Sequence, residues 1–329
     1  MKRFFLVLGL LLLHAGISQA RDSLGMRLIG QTLLGPARQV VVQGNYAYMG
    51  VGCGLLILDV SDPAWPVEMG RAYISTRIED LAVQSGYAYV VDALDGLAIV
   101  DVRDVRNPRV VGKANFGFNM FGVAVKDTLA YVVGSGGIQD SSDFFVINVK
   151  DPTAPFVVAG YDTSWGHKIQ VVDTLAYVTA AGWNVGVEIY NISNPFDVRQ
   201  IGQTSGLGNT EDIVIRDTLA FVASPDSGLC VVNIKDPRTP QKVVCFNPSG
   251  PPYAGPYSIS VLGNYVYLCD DKVVYEGYPY RTLSYFWVID ITGSTMKCTT
   301  WESVKGCGIL SGYGKELSAT KSKRTREHS

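Results

Sequence analysis

The chain repeats one pattern six times, at intervals of 41 to 46 residues. Each copy has a short run with an aromatic anchor, then a gap, then a second apolar run. The anchors are Tyr48, Tyr89, Tyr131, Tyr177, Phe221 and Tyr267. A period of this length is typical of stacked or circular repeat architectures. Because the repeated positions form the scaffold, we look for function in the positions that differ between copies.

Each copy predicts four short strands. In the first copy, the β-branched run Val40–Val42 precedes a tight turn at Gly44–Asn45 and the aromatic run that follows. Glycine, asparagine and aspartate tolerate the positive φ of such turns. The run Leu56–Val60 predicts a third strand, and a fourth follows the turn Pro63–Pro66, because proline does not continue a strand ladder. Four antiparallel strands per repeat predict one blade of a β-propeller.

The ends of the repeat region predict how the ring closes. The N-terminal segment Leu28–Thr32 resembles Gln200–Thr204, which follows the fourth copy as a fourth strand. We therefore predict an all-β, six-bladed propeller in which Leu28–Thr32 pairs with the third strand of the last copy, near Phe286–Ile291. Such closure removes the free sheet edges that promote aggregation. The alternative is a seven-bladed ring with an incomplete last blade.

The apolar runs also carry a family resemblance. Leu56–Pro63 and Leu97–Val102, each preceded by a Tyr-Ala-Tyr run, resemble the LVIVD repeat of prokaryotic secreted and surface β-propellers. The resemblance extends from residue 28 to about residue 291. The fourth copy has Asn191 in place of the aspartate, and no Asp-Pro turn follows Asp290 in the sixth. The resemblance implies the propeller fold and an extracytoplasmic setting, and it implies no catalytic residues.

The sequence predicts three segments. Residues 1–20 resemble a signal peptide, since two basic residues precede the apolar run Phe4–Leu13 and small residues follow at Ser18–Ala20. We predict a propeller over residues 21–301. Residues 302–329 are rich in Lys, Ser, Thr and Arg with little to bury, which predicts a disordered basic tail. We expect an exported monomer in the periplasm, at the cell surface or outside the cell, with no transmembrane segment after signal cleavage.

Charge and motif content disfavour several functions. The formal net charge is −2 and no basic stripe is present, which argues against nucleic acid as a partner. The chain has three histidines, no Gly-x-Ser-x-Gly motif and no phosphate-binding glycine loop. No catalytic residue is therefore assigned, and an enzyme of this sequence would have to use carboxylates or tyrosines. The expected partner is a protein, peptide or glycan.

Two cysteines lie on either side of the turn in the fifth copy. If Ile234 pairs with Gln241 across that turn, Cys230 lies opposite Cys245, within the Cα distance of a disulfide. A disulfide and two buried thiols both fit this placement. The absence of a Cys-x-x-Cys motif and the scarcity of histidine argue against a zinc site.

The first strand of each copy is the inner strand, which lies closest to the axis of the ring. The positions just before each inner strand are the main site candidates. In a ring they all point to the channel mouth on the top face, where the irregular loops also lie. The ligand-binding candidates there are Arg38, Glu79, Asp80, His167, Lys168, Glu211, Asp212 and Tyr257. The four carboxylates favour either a polar ligand or a hard cation such as Ca²⁺, with no other cofactor expected. The alternative is that these side chains only satisfy strand ends and one another.

Two tyrosines in the long loop of the sixth copy, Tyr278 and Tyr280, are further candidates, together with the neighbouring Trp165. Tyrosine and tryptophan offer rigid contact area with a polar tip, which suits saccharides or peptides. The alternative is that this loop packs over its own blade.

Three functions are consistent with these features. The first is a secreted or cell-surface binding or scaffold module with its ligand site at the channel mouth. The second is a carboxylate-dependent hydrolase or lyase at the same mouth, which requires paired, perturbed titratable groups. The third is a structural surface repeat protein, for which we expect a mouth sealed by apolar packing.

Overall fold

The computed structural model describes residues 37–92, 94–116, 119–135, 143–180, 185–247, 254–274, 281–291, 295–304, 310–311 and 317–320. Its regular elements are β-strands, arranged in six antiparallel sheets that follow one another along the chain. The predicted all-β, six-bladed propeller is therefore confirmed. The predicted signal peptide and Leu28–Thr32 lie outside the described residues.

The first five blades each contain four strands. Blade 1 contains β1 (Ala37–Gln43), β2 (Tyr46–Val51), β3 (Gly54–Asp59) and β4 (Val67–Tyr73). Blade 2 contains β5 (Ile78–Gln84), β6 (Tyr87–Asp92), β7 (Gly96–Asp101) and β8 (Arg109–Asn115). Blade 3 contains β9 (Asn119–Lys126), β10 (Leu129–Ser135), β11 (Phe144–Asn148) and β12 (Phe156–Tyr161). Blade 4 contains β13 (Gly166–Val172), β14 (Leu175–Ala180), β15 (Val187–Asn191) and β16 (Arg199–Gln203). Blade 5 contains β17 (Asp212–Arg216), β18 (Leu219–Ser224), β19 (Gly228–Asn233) and β20 (Gln241–Phe246).

The sixth blade is larger. It contains β21 (Ala254–Leu262), β22 (Tyr265–Val274), β23 (Arg281–Asp290), β24 (Thr295–Val304), β25 (Leu310–Ser311) and β26 (Leu317–Thr320). β23 pairs with β22 on one edge and with β24 on the other, and this register places Phe286 opposite Trp301. Closure of the ring by Leu28–Thr32 is therefore not shown, because β24 occupies the edge that we predicted for it. A strand a few residues downstream of β23 closes a much shorter loop than one from the N-terminus, and a shorter loop costs less entropy.

Short strands extend into the C-terminal segment. β24 crosses the predicted boundary at residue 301, and β25 and β26 pair with β24 within the stretch that the composition predicts to be disordered. The outer edge of β24 offers backbone partners, which composition alone does not register. The described part of the chain contains no helix with the length and apolar character that a membrane crossing requires.

The hydrophobic core lies between neighbouring blades. Tyr48 and Ile57 of blade 1 pack against Leu81 and Val90 of blade 2, and the same arrangement recurs between each later pair of blades. Burial of side chains of this size contributes about 1.5 to 3 kcal/mol each. This repeated packing makes the blades a firm frame for the loops and strand ends at the central axis.

Candidate functional site

A polar cavity lies where the six inner strands begin. Its volume is about 650 Å³, and side chains from all six blades line it. The lining residues are Ala37, Arg38, Gln39, Arg77, Glu79, Phe121, His167, Lys168, Glu211, Asp212, Tyr257 and Ser258. Seven of the eight predicted mouth residues are among them, while Asp80 lies buried beneath the cavity. Seven of the candidates therefore line one cavity, and ligand binding by these residues stays a prediction.

The inner strands are irregular at this mouth. In blades 1 and 2 the strand register skips one residue, so that Arg38 and Glu79 are the extra residues of β-bulges. Phe121 and Tyr257 occupy the same place in blades 3 and 6, and in blade 4 the irregularity falls at His167 and Lys168. A bulge turns a side chain away from the regular pleat. The bulges thus provide a physical reason why these side chains face the channel mouth.

Glu79 holds two arginines at one side of the mouth. Arg38 Nη1 lies 2.5 Å from Glu79 Oε2, and Arg77 Nε donates to Glu79 Oε1 at 2.7 Å. The Glu79 side chain is only 5% exposed, whereas both arginine side chains are more than half exposed. Sequence reasoning missed Arg77, although it stands two residues before Glu79. Two guanidinium groups on one carboxylate leave this corner with a net positive charge.

A buried ion cluster forms the floor of the cavity. Lys168 Nζ of blade 4 donates to Asp80 Oδ1 of blade 2 at 2.6 Å. Asp80 also accepts hydrogen bonds from Gln39 Nε2 and from the backbone N–H groups of Leu81 and Val123. Its carboxylate thereby links the inner strands of blades 2 and 3, and the Gln39 amide adds blade 1.

Asp212 repeats this arrangement on the opposite side of the ring. It accepts hydrogen bonds from the backbone N–H groups of Ile213 and Ile259 and from Ser258 Oγ, which links blades 5 and 6. Burial raises the pKa of Asp212, although the charge of Lys168 opposes the rise. Burial alone lowers the pKa of Lys168, but the charges of Asp80 and Asp212 outweigh it and the pKa is raised. Lys168 therefore stays charged between two carboxylates.

Gly122 allows the inner strand of blade 3 to approach the inner strand of blade 4 closely at Lys168. A Cβ atom added at Gly122 would lie 2.8 Å from the carbonyl oxygen of His167 and 3.0 Å from the Cα atom of Lys168. Real Cβ contacts are almost never this short, so the close approach of β9 and β13 requires glycine. This approach brings the Lys168 ammonium within reach of Asp80.

The remaining acidic corner contains Glu211 and His167. His167 Nδ1 lies 2.7 Å from Glu211 Oε2, and the imidazole makes an edge contact with Phe121. Both side chains are about one quarter exposed. Glu211 has one imidazole as its ion-pair partner here, whereas Glu79 has two guanidinium groups.

The order of residue types around the mouth has an approximate two-fold repeat. Blades 1 and 4 contribute a basic residue, blades 2 and 5 contribute Glu followed by Asp, and blades 3 and 6 contribute an aromatic residue followed by a small one. The pairs in ring order are Arg38 and Gln39, Glu79 and Asp80, Phe121 and Gly122, His167 and Lys168, Glu211 and Asp212, and Tyr257 and Ser258. The two Glu-Asp pairs therefore lie on opposite blades.

This placement bears on the predicted cation site. Within the described ranges, no group of three or more His, Cys, Asp or Glu side chains is arranged to hold a metal ion. The predicted aromatic candidates Tyr278 and Tyr280 lie outside the described residues. Trp165 is exposed at the start of β13, with a φ of 55°.

The cysteine pair adopts the predicted register. Cys230 of β19 lies opposite Cys245 of β20, with a Cα separation of 4.0 Å, and the two are joined in a disulfide. The bond lies in the outer half of blade 5 and does not contribute to the cavity.

Fold and mouth together define a β-propeller with a polar top-face cavity. The model of the LVIVD repeat matches residues 34–73, 77–115 and 207–248. The propeller therefore carries LVIVD repeats in three regions, and the resemblance seen in the sequence is confirmed over those regions.

Solved structures support the fold. The chain is similar to the β-propeller domain of Cps50 (Swd1) from Myceliophteria thermophila, with a TM-score of 0.60 and 10% identity, over 83% of this chain and 95% of that one. It is also similar to the computationally designed Ika8 protein, with a TM-score of 0.54 and 9% identity, over 88% of this chain and 91% of that one. At these identities the likeness concerns the fold alone. No curated protein matches the chain in sequence.

Proposed function

We propose that this protein is an exported binding module that holds a small polar ligand at the channel mouth. The observation that carries the proposal is the cavity of about 650 Å³, to which all six blades contribute and in which charged side chains predominate over apolar ones. Small-molecule sites have volumes of roughly this size and a few fixed polar groups. Here the polar groups are held in place by ion pairs and by bulges of a rigid frame.

The same cavity favours binding over a purely structural role. We expected a structural protein to seal its mouth with apolar side chains, whereas this mouth is open and charged. A hydrolase or lyase finds less support, because Asp80 and Asp212 each accept two backbone hydrogen bonds, one from the next residue of their own strand and one from the neighbouring inner strand. Carboxylates engaged in this way serve the frame, and Glu79 is occupied by two arginines.

Export is part of the proposal. The signal-peptide pattern of residues 1–20 supports it, and so does the disulfide between Cys230 and Cys245, because disulfides persist in oxidising compartments. The expected setting is the periplasm, the cell surface or the extracellular space.

The test compares wild-type protein with a Glu79→Gln, Glu211→Gln double variant on glycan and peptide arrays, with and without Ca²⁺. Both replacements keep the shape and remove the charge. Glu211→Gln weakens an acceptor at the cavity wall, and Glu79→Gln releases the two arginines that Glu79 holds, so a ligand held at the mouth should lose about 1 to 3 kcal/mol of binding free energy per charged hydrogen bond. Circular dichroism verifies that the variant is folded.

The matched control is Asp62→Asn, in a turn on the opposite face, where Asp62 Oδ1 accepts a hydrogen bond from the backbone N–H of Ala64. Equal losses in the control and the double variant would contradict a site at the mouth. The same double variant tests the enzyme alternative, because catalysis by these carboxylates would be abolished.

A further inference from the structure

The two Glu-Asp pairs differ in charge because of one neighbouring position. Two residues before the glutamate stands Arg77 in blade 2, but Asn209 in blade 5. Arg77 adds a second cation to Glu79, which Arg38 already contacts. Glu211 has only the imidazole of His167 as an ion-pair partner in the described part of the chain. The mouth therefore repeats its residue types two-fold, but its charges are uneven. Glu79 pairs with two arginines, whereas Glu211 pairs with His167.

The corner at Glu79 is suited to a monovalent anion. Both oxygens of Glu79 are engaged, and Arg38 and Arg77, which both line the cavity, keep N–H groups that Glu79 does not use. The arginine guanidinium matches a carboxylate with two parallel hydrogen bonds. Glu79 already balances one of the two arginine charges, so about one positive charge is left, which suits a monovalent anion better than a dianion such as phosphate.

The corner at Glu211 is suited to a cation. Glu211 Oε2 pairs with His167, while no hydrogen bond or ion pair to Glu211 Oε1 is formed within the described residues. An ammonium group would find there a partly exposed carboxylate oxygen at the wall of the same cavity. Lys168 does not neutralise this corner, because its ammonium is bonded to Asp80.

Aromatic side chains separate the two corners. Phe121 of blade 3 and Tyr257 of blade 6 line the cavity between the positive side and the negative side. They offer apolar contact area for the uncharged middle of a ligand. A cavity of about 650 Å³ holds more than one amino-acid residue.

We infer that the mouth binds a short peptide through its free termini, with the C-terminal carboxylate at Arg38 and Arg77 and the N-terminal ammonium at Glu211. This inference rests on the proposed function and names the ligand class of the same site. The two charges of the peptide meet the two opposite charges of the mouth, and its middle lies against Phe121 and Tyr257.

The experiment uses equilibrium dialysis of the exported protein with a synthetic tripeptide pool, followed by mass spectrometry of the retained peptides. Four forms of the pool are compared: free termini, acetylated N-terminus, amidated C-terminus and both ends blocked. We expect retention of the free form, with a loss of about tenfold or more when either end is blocked. Equal retention of the doubly blocked pool would overturn the inference.

Three variants assign the two ends. Arg77→Gln should weaken the free and acetylated forms and leave the amidated form unchanged. Glu211→Gln should weaken the free and amidated forms and leave the acetylated form unchanged. Asn209→Arg makes blade 5 resemble blade 2, and should shift preference from free tripeptides to tripeptides with a succinylated N-terminus. The control is Arg199→Gln at an exposed ion pair with Asp197, for which no change is expected.

The outcomes separate this inference from the proposed function. If no tripeptide is retained but another ligand from the arrays depends on Glu79 and Glu211, the peptide assignment fails and the binding site remains. If peptides are retained equally by wild-type, Arg77→Gln and Glu211→Gln protein, the two-corner geometry is wrong. If no array ligand depends on the mouth residues, the proposed function itself fails.

Discussion

Lys168 should be the most important single charge for the stability of the mouth. Its ammonium lies 2.6 Å from Asp80 Oδ1, and the Asp80 side chain is 1% exposed. Lys168→Met keeps an unbranched side chain that is one heavy atom shorter, and it leaves Asp80 and Asp212 without their cation. Removing one partner of a buried ion pair costs about 3 to 5 kcal/mol. Because Asp80 keeps three other hydrogen bonds, we expect the lower end, about 3 kcal/mol of the free energy of unfolding.

The assay is urea denaturation followed by tryptophan fluorescence. The matched control is Lys113→Met, because Lys113 lies 3.7 Å from Asp95 with both side chains more than one third exposed. Such a surface pair contributes less than about 1 kcal/mol. Adding Asp80→Asn to Lys168→Met should recover part of the loss, since it removes the unpaired buried charge.

The pH dependence gives an independent check. The pKa of Lys168 is raised above its ordinary value of 10.5. Its stabilising contribution is therefore fully present below pH 10.5 and is lost as the pH rises through the folded-state pKa. The stability difference between wild type and Lys168→Met should be constant from neutral pH to the ordinary pKa and should shrink above it. A loss no larger than that of Lys113→Met would refute the reasoning.

Two further predictions concern blade 5 and blade 3. Replacing Cys230 and Cys245 by serine should lower the free energy of unfolding by about 3 kcal/mol, because a disulfide across a loop of this length restricts the unfolded chain. Ligand binding should not change. Two free thiols in non-reducing peptide mapping of the wild type would contradict this prediction. Burial raises the pKa of Asp143 above its ordinary value of 3.8, despite hydrogen bonds from Thr163. As the pH rises from 3.8 to the folded-state pKa, the wild type should therefore lose stability relative to Asp143→Asn. Parallel stability curves in urea for the two proteins between pH 3.5 and 6 would show that the Asp143 carboxyl is not perturbed.

The repeated pattern of strand-forming and turn-forming residues determined the hairpins and the number of blades. The β-branched run at Val40, the aromatic anchor at Tyr48 and the turn at Gly44 specify a hairpin through strand propensity and positive φ, and six such copies specify six blades. The same counting placed Cys230 opposite Cys245 and brought the residues before each inner strand to one mouth. These features depend on spacing along the chain, which a sequence states directly.

Only the tertiary structure decided which groups at the mouth meet. Lys168 contacts Asp80 across 88 residues of chain because β9 and β13 approach closely at Gly122. Arg77 joins Glu79, and β24 pairs with β23. Ion-pair partners depend on side-chain reach, burial and bulge geometry in three dimensions, and the choice of edge strand depends on loop entropy. Neither the ion-pair partners nor the edge strand can be read from the repeat spacing. The uneven charge of the mouth therefore becomes visible only when the blades are packed together.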